Sequence, residues 1–398
     1  MIDLKAARND PDAFRAALAR KGAAEAFDRL LAADERWRAL VPRIDELRGR
    51  TKLKGKPTPE QLEELQAVKE ELRAAEEEYA RAEEERDTLA LLVPNVPHED
   101  VPDGSTDDDA REVRRVGDPP GGEAREHLEL GRFDMERAAR MSGARFGYWI
   151  GDTARLAFAL YAYALDRLAQ KGFVTVLPPV LVREGALVGT GAFPSDDASV
   201  YEIPEDGLYL AGTAEIPLAS LHAGEILEAD ELPLRYVAFS PCFRREAGAA
   251  GRDTRGMIRV HQFNKVEQFA FTRPEESWDE HELLLANTEE LVRDLGLPYR
   301  VVVLPAGDMS SASAKTYDVE IWFPSQERYR ETASISNTTD FQARRLGIRH
   351  RAERGPEIVH TLNGTAVVDR MALAILENFQ GEVPDALREY GAPARVER

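Results

Sequence analysis

The chain has 398 residues, a formal net charge of −20 and 43% hydrophobic residues. This length exceeds the size at which one hydrophobic core usually stops growing, so we expect two domains. The apolar content excludes a disordered chain, and the absence of a long apolar run excludes a helical membrane span or a signal peptide. We therefore expect a cytoplasmic protein without a membrane partner. Cys242 is the only cysteine, which excludes a disulfide and a cysteine-based zinc cluster within this sequence.

Two series of apolar residues dominate the first hundred positions. They recur at steps of three and four, the spacing of a coiled-coil seam, at Leu30, Ala33, Trp37, Leu40, Ile44 and Leu47 and again at Leu65, Val68, Leu72, Ala75, Tyr79, Ala82 and Leu89. Residues 48–57 read as a turn between them, and Thr58 with Pro59 is a good helix start. The pattern predicts two antiparallel helices. A helical hairpin packed on its own domain is the alternative, but the many glutamates of residues 60–87 favour a solvated arm.

Two details of this arm carry expectations of their own. Pro42 interrupts the first series, and an internal proline removes a hydrogen bond, so we expect a kink or a restart of the helix there. Cations crowd the turn, at Arg48, Arg50, Lys52, Lys54 and Lys56. They could meet a phosphate backbone despite the acidic total, or they could form a solvated basic turn.

Residues 93–104 have the composition of a linker, and the pattern changes beyond them. Helical patterns at 154–170, 276–295 and 372–379 alternate with β-rich runs at 236–239, 266–271, 300–304, 317–323 and 357–362. Because the strands cluster after the first helix, we expect an antiparallel sheet flanked by helices rather than a doubly wound parallel sheet. The sequence has no Walker-type phosphate loop and no Rossmann fingerprint, so a nucleotide would have to bind by other means.

The densest chemical signal runs from residue 239 to residue 269. Two apolar runs flank a segment rich in glycine and arginine between Gly248 and Gly256. A strand, loop and strand with arginines at the ends suits an extended anionic ligand, because guanidinium forks bind phosphate oxygens bidentately. A surface hairpin that carries arginines by chance is the alternative at this point.

These motifs follow one another in an order that resembles the class II aminoacyl-tRNA synthetases, and the seryl-tRNA synthetase family in particular. Residues 172–182 (Gly-Phe-Val-Thr-Val-Leu-Pro-Pro-Val-Leu-Val) resemble motif 1, residues 239–269 (with Phe-Arg-Arg-Glu and His-Gln-Phe) motif 2, and residues 361–378 (Thr-Leu-Asn-Gly-Thr, then Arg370) motif 3. Residues 210–218 contain the family's Thr-Ala-Glu, and residues 315–320 and 329–345 resemble its central strands. The resemblance extends along the whole chain.

The resemblance implies an α+β fold: a class II antiparallel sheet flanked by helices in residues 106–398, and a helical tRNA-binding arm, an antiparallel coiled coil, in residues 1–105. It implies a serine–tRNA ligase that activates serine with ATP and Mg²⁺ and passes it to serine tRNA held by the arm. A homodimer built on motif 1 is implied as well.

Residue roles are implied by the matching motifs. Arg244 and Arg370 are the catalytic candidates. The serine-binding candidates are Thr213, Ala214, Glu215, Arg244, Glu267, Asn363 and Thr365. The ATP-binding candidates are Arg244, Arg245, Glu246, Arg259, Val260, Phe263, Glu331, Thr332, Ala333, Ser334 and Arg370, and Mg²⁺ would be held by Glu331 and Ser334, since a hard cation takes oxygen ligands. Glu246 would accept from the adenine amino group and Phe263 would stack on the ring, while His261 is expected to be structural.

The sequence departs from the family at three places. The arm is short, and residues 307–315 carry serines and alanines where the family more often has glycines and a phenylalanine. In motif 3 the spacing between Thr365 and Arg370 is one residue shorter than usual, and Asp369 stands where a small residue or proline is expected. We expect Asp369 to pair with Arg370 and to weaken its attraction for phosphate.

These departures leave two alternatives open: a specialised paralogue with a biosynthetic or resistance role, and a regulator that binds tRNA or serine without catalysis. The Mg²⁺ ligands that the resemblance implies, Glu331 and Ser334, argue against the regulator, since a binding protein does not need them. The arm speaks against a carrier-protein ligase, and the single cysteine speaks against a zinc-dependent archaeal type.

Overall fold

A computed structural model describes residues 1–52, 58–122, 124–195, 199–246 and 256–398. The chain divides into two compact units, Met1–Val96 and Pro97–Arg398, and the division lies inside the linker of residues 93–104. None of the helices in these ranges combines the length and the apolar character that crossing a bilayer requires.

In the described part of the first unit, residues 1–52 and 58–96, there are four helices, and two of them form the arm. The bounds are α1 Leu4–Asn9, α2 Pro11–Ala19, α3 Ala24–Arg50 and α4 Pro59–Leu92. Thr58 caps α4 as expected: its side chain accepts from the Gln61 amide, the Gln61 side chain accepts from the Thr58 amide, and Pro59 occupies the first turn.

The predicted seam is the contact between α3 and α4. Ile44, Leu47, Val68 and Ala75 are buried together. Ion pairs flank the seam and run antiparallel, from Arg36–Glu85 through Arg43–Glu78 to Arg48–Glu76. The predicted antiparallel arm is therefore confirmed. At its base, a second apolar cluster joins both arm helices to α1 and α2.

The restart expected at Pro42 is not observed, because α3 runs without a break from Ala24 to Arg50. The proline costs about 3 kcal/mol in a helix interior. Burial of Ile44 and Leu47 immediately after it, at about 1.5–3 kcal/mol for each large apolar side chain, offsets that cost. The turn itself was predicted on residues 48–57, of which 53–57, including Lys54 and Lys56, lie outside the described residues.

The second unit is built on an eight-stranded sheet. The strand order is β1-β11-β12-β13-β16-β10-β9-β4, and every neighbouring pair is antiparallel except β4 with β9. The bounds are β1 Arg111–Val116, β4 Val174–Val176, β9 Leu234–Phe243, β10 Gln262–Thr272, β11 Tyr299–Val303, β12 Lys315–Phe323, β13 Arg328–Asn337 and β16 His360–Val368. The antiparallel class II sheet expected from the sequence is confirmed.

Smaller elements surround this sheet. The remaining helices are α5 His127–Leu130, α6 Met135–Ser142, α7 Asp152–Gln170, α8 Glu184–Thr190, α9 Glu215–Ser220, α10 Ser277–Asp294, α11 Phe341–Leu346 and α12 Asp369–Asn378. The remaining strands, in three small sheets, are β2 Phe133–Asp134, β3 Tyr148–Trp149, β5 Leu181–Arg183, β6 Tyr201–Ile203, β7 Leu208–Leu210, β8 Ile226–Leu227, β14 Arg349–Ala352 and β15 Gly355–Ile358.

Two strand predictions differ from the structure. The run 357–362 was predicted as one strand, but it is divided between β15 and β16, and the buried Val359 joins the two. Strand β1 was not predicted, because its exposed sequence Arg-Glu-Val-Arg-Arg-Val has little apolar alternation. Charged residues are common on such edge strands, where they discourage pairing with other chains.

Alternation along β10 separates the core from the site. Val266 and Ala270 belong to the main apolar core, which also contains residues of α7, α10 and α12. Successive side chains of a strand point to opposite faces, so Phe263, Lys265 and Glu267 share the other face. That second face carries the functional candidates.

Candidate functional site

Two adjoining cavities lie on this face of the sheet, and Arg244 belongs to the walls of both. The first has a volume of about 380 Å³ and contains Thr213 and Glu215. The second has a volume of about 190 Å³ and contains Phe263, Glu331 and Arg370. A cationic side chain between two cavities can interact with anionic groups bound on either side.

Arg244 follows the end of β9 and is held from several directions. Its backbone amide donates to the His261 carbonyl at 3.0 Å, and His261 Nδ1 lies 2.9 Å from the Arg244 carbonyl. The Arg244 Nε donates to the Gly212 carbonyl at 3.3 Å, and the guanidinium lies 5.3 Å from the centre of the Phe263 ring. His261 therefore orients Arg244 through its backbone, in the structural role expected for it.

The larger cavity ends in a network of carboxylates and amides. Glu215 Oε1 accepts from Gln342 Nε2 at 2.8 Å and from Asn363 Nδ2 at 3.0 Å. Burial and the neighbouring Glu267 charge raise the pKa of Glu215 to about 7. Glu267 accepts from the Thr213 hydroxyl at 3.2 Å and forms an ion pair with Lys265. The network offers both acceptors and donors to a small ligand that carries an ammonium and a hydroxyl group.

The smaller cavity has a cationic side and an apolar side. The Arg370 guanidinium donates to the carbonyls of Glu331 and Ile258 and lies 3.5 Å from the Glu331 carboxylate. Desolvation raises the pKa of the Glu331 carboxyl, but the positive charges of Arg370 and then Arg244 lower it by more. The pKa of Glu331 therefore lies below its ordinary value. Arg259 pairs with Glu246 at 2.5 Å, and Phe263 and Val260 supply the apolar wall.

A β-bulge brings the proposed metal ligands to one face. Glu331 and Ser334 are three positions apart, and in a regular strand they would point to opposite faces. The β12–β13 ladder pairs Val319 with Ala333 but Glu320 with Glu331, so an extra residue, Thr332, is accommodated in β13. As a result Glu331, Thr332 and Ser334 all border the smaller cavity. The Ser334 hydroxyl donates to Asp318 at 2.6 Å, which leaves its lone pairs available.

Five candidates from the sequence do not border either cavity. Glu267 and Asn363 are connected to the larger cavity only through their hydrogen bonds with Thr213 and Glu215, and the other three lie elsewhere. Ala214 is buried in a side cluster, and Ala333 is buried in the main core. Arg245 points away, with its guanidinium 5.0 Å from the centre of the Tyr201 ring. Neighbouring positions in a motif thus have different roles, because alternate side chains of a strand or turn face opposite sides. The Gly- and Arg-rich segment of motif 2 falls largely on residues 247–255, outside the described residues.

The expected pairing of Asp369 with Arg370 is wrong. In the part of the chain that the structure describes, Asp369 forms no ion pair with Arg370. One carboxylate oxygen accepts from the Tyr161 hydroxyl and the other from Asn264. The shortened motif 3 is accommodated without a loop, since β16 ends at Val368 and α12 begins at Asp369.

Two residues of the site were missed from the sequence. Lys265 is buried against Glu267 and borders the smaller cavity, and Gln342 holds Glu215. The signal for Lys265 was its position, two residues from both Phe263 and Glu267 on one strand face. Gln342 lies on α11, far away in sequence, and only the tertiary structure brings it to Glu215.

Comparisons with known proteins identify the family of the chain. A family model of the class II core domain of tRNA synthetases (G, H, P, S and T) matches residues 200–379, and a model of the seryl-tRNA synthetase N-terminal domain matches residues 1–97. The serine–tRNA ligase of Pelotomaculum thermopropionicum is 45% identical, with 100% of both chains covered. This chain belongs to the seryl-tRNA synthetase family. The serine–tRNA ligase of Bacillus subtilis is also 45% identical, with 98% of each chain covered.

Solved seryl-tRNA synthetases share the fold over the whole chain. The enzyme of Pyrococcus horikoshii in complex with ATP superposes with a TM-score of 0.93 at 38% identity, and 100% of both chains is covered. The cytoplasmic enzyme of Naegleria fowleri in complex with AMP gives a TM-score of 0.89 at 32% identity, with 98% of this chain and 96% of that chain covered. The resemblance read from the motifs is confirmed.

Proposed function

We propose that this member of the seryl-tRNA synthetase family is an ATP-dependent serine–tRNA ligase. It activates serine to seryl-adenylate and transfers the seryl group to serine tRNA. The observation that carries the proposal is the position of Arg244 in the wall shared by the two cavities. A serine carboxylate on one side and the ATP α-phosphate on the other would both be neutralised by this guanidinium, where the two groups react.

ATP occupies the smaller cavity in this proposal. The adenine stacks on Phe263 and lies between that ring and Arg370, while the Glu246–Arg259 pair lies within reach of the ring edge. Arg370, held by two backbone carbonyls, faces the phosphates. The serine carboxylate attacks the α-phosphate on the side opposite to the departing pyrophosphate. Because this displacement needs little covalent chemistry from the protein, positioning and charge neutralisation supply most of the acceleration.

Serine occupies the end of the larger cavity near Glu215. Glu267, Thr213 and Glu215 surround the ammonium and hydroxyl groups, and Asn363 and Gln342 hold Glu215 in place. Thr365 closes the pocket from the adjoining cavity. Buried polar partners select serine over alanine, because alanine would leave them without a hydrogen bond.

Mg²⁺ fits the donor set of the smaller cavity. Glu331 supplies a carboxylate whose pKa lies below its ordinary value, and Ser334 supplies a hydroxyl oxygen whose proton is already donated to Asp318. Two protein oxygens suffice, because Mg²⁺ usually keeps several waters and binds substrate phosphates. When bound, Mg²⁺ supplies positive charge to the phosphates. The backbone carbonyl of Glu331 also accepts a hydrogen bond from Arg370, which orients the Glu331 backbone.

We further propose that residues 1–105 act as the tRNA-binding arm domain and residues 106–398 as the catalytic domain. Arg50 and Lys52 are exposed near the end of α3 and are available to phosphates, whereas Arg48 is paired with Glu76. A homodimer would cover the exposed apolar residues of motif 1. Val174 in β4 is 58% exposed, and Leu177 just after that strand is 84% exposed.

The test is serine-dependent ATP–pyrophosphate exchange, followed by charging of serine tRNA. We expect exchange with serine, none with alanine, and charging that requires the same protein. Arg244→Ala should abolish exchange, whereas Arg245→Ala is the matched control, since its side chain borders neither cavity and lies over Tyr201. Exchange that is absent from the parent protein, or equal in both variants, contradicts the proposal.

A further inference from the structure

Asp369 is a buried carboxylate in the wall of the smaller cavity for which the chemistry above has no role. The residue is 6% exposed. Its Oδ1 accepts from the Tyr161 hydroxyl, and its Oδ2 accepts from the Asn264 amide at 2.9 Å and from Asn264 Nδ2 at 3.4 Å. Both oxygens are thus occupied by donors from two other elements, α7 and β10.

The sheet explains why a carboxylate is useful at this position. The ladder between β16 and β10 ends with the pair Val368 and Lys265. Asn264 is the next residue of β10, and its amide lies beyond the last backbone partner. If β16 continued as a strand, its backbone would accept the hydrogen bond from the Asn264 amide. The Asp369 side chain accepts this hydrogen bond instead. Since a buried amide without an acceptor costs about 1–3 kcal/mol, this contact stabilises an abrupt change from strand to helix.

Arg370 comes immediately after this junction, in the first turn of α12. Its guanidinium reaches the carbonyls of Glu331 and Ile258 on different segments. A small rotation of the first turn would move a long side chain away from both carbonyls. The direction of Arg370 therefore depends on what fixes the start of α12.

We propose that Asp369 is a positioning residue of the ATP cavity, which fixes the first turn of α12 through Tyr161 and Asn264 and so sets the direction of Arg370. The inference rests on the proposed function, in which Arg370 contacts ATP. It reverses the expectation from the sequence, in which Asp369 pairs with Arg370 and weakens the attraction of Arg370 for phosphate. Burial raises the pKa of Asp369 to about 6, and the hydrogen bonds from Tyr161 and Asn264 oppose that rise.

The experiment measures KM for ATP, KM for serine and kcat in pyrophosphate exchange, together with the melting temperature. Asp369→Asn keeps the shape but loses one acceptor oxygen, and Tyr161→Phe removes a donor. We expect Asp369→Asn to raise KM for ATP about tenfold and Tyr161→Phe about threefold, the scale of the net contribution of one hydrogen bond, with KM for serine within about twofold of the parent. Arg370→Ala should raise KM for ATP at least as much as Asp369→Asn.

Tyr163→Phe is the matched control. It removes another buried hydroxyl from α7, one that contacts Leu291 and Asp294 rather than the cavity, and it should leave KM for ATP at the parent value. If Arg370→Ala raises KM for ATP but Asp369→Asn and Tyr161→Phe do not, the inference fails and the proposed function stands. If Arg370→Ala changes nothing, the role of Arg370 in the proposed function fails. If Asp369→Asn raises KM for ATP and KM for serine equally, and Tyr163→Phe does the same, then Asp369 supports the fold in general rather than Arg370 in particular, and the inference is overturned.

Discussion

At the residue scale, the site depends on two carboxylates that lie close together and are shielded from water. Glu215 and Glu267 would repel each other if both were ionised without a cation between them. Lys265 partners Glu267, and the pKa of Glu215 rises to about 7 through burial and then through the Glu267 charge. Such an arrangement favours a cationic ligand, because an ammonium group would relieve the repulsion.

The raised pKa of Glu215 predicts a pH-dependent cost in stability. Below pH 4.5 the group is protonated in both the folded and the unfolded chain, and it contributes nothing. Between pH 4.5 and about 7 only the unfolded chain ionises, so stability falls as the pH rises, and above that range the cost is constant. Glu215→Gln removes this cost and keeps an amide oxygen for Gln342 and Asn363. We expect the variant to gain on the order of 2–3 kcal/mol over the parent between pH 4.5 and pH 8, measured by urea unfolding. An equal difference at both pH values would contradict the assignment.

Glu267 tests serine selection directly. It is 1% exposed and contacts both Thr213 and Lys265, so its removal leaves buried polar groups without a partner. We expect Glu267→Ala to lower serine-dependent exchange by at least ~100-fold. Glu280→Ala is the control, because it removes a buried carboxylate that pairs with Arg235, outside both cavities, and should change stability but not KM for serine. Near-normal exchange in Glu267→Ala would place serine elsewhere.

At the element scale, helices and strands with a regular sequence pattern could be predicted, whereas local irregularities in them could not. The seam of α3 and α4 follows from residue spacing, because it buries one regular face, and the strands β9 to β12 follow from β-rich runs, because most of their residues are buried. The bulge in β13 could not be predicted from spacing, although it decides that Glu331 and Ser334 reach the same cavity. The unbroken helix at Pro42 could not be predicted from the sequence either, because packing of α3 against α4 outweighs the tendency of proline to end a helix.

The arm can be removed at a position that the structure identifies. The basal cluster of the first unit includes Leu30, Ala33, Leu89 and Ala90, so a deletion from 30 to 90 would damage it. Replacing residues 40–80 with a short linker removes the upper seam and leaves that cluster in place. We expect exchange within about twofold of the parent, since the cavities lie in the other compact unit, and loss of tRNA charging. Charging at the parent rate would show that the arm does not hold tRNA.

At the scale of the whole molecule, the two edges of the main sheet differ, because the edge at β1 is charged and the edge at β4 is apolar. Among the described residues, strand β4 has a neighbouring strand on one side only, and Val174 within it and Leu177 just after it are largely exposed. Exposed apolar residues in such a cluster mark an interaction surface, and closed symmetric dimers are the commonest soluble assemblies.

A charged residue introduced at the β4 edge should separate the two subunits of the proposed dimer. We expect Leu177→Asp to halve the mass measured by light scattering at micromolar protein. Leu62→Asp is a control at an exposed apolar residue of α4, in the other compact unit, and should leave the mass unchanged. A parent protein that is already monomeric, or a Leu177→Asp variant of unchanged mass, would contradict the proposed dimer.

The amino-acid sequence was enough to predict the class of the fold, the arm and most residues of the candidate site, because those depend on spacing and on motifs that lie within short segments. It could not determine which motif residues face a cavity, as Arg245, Ala214 and Ala333 show. Nor could it give Asp369 its partners, since Tyr161 and Asn264 lie 208 and 105 positions away. Only the tertiary structure decides such contacts, because they depend on how separate elements pack and on where a ladder ends, and neither is encoded in local spacing.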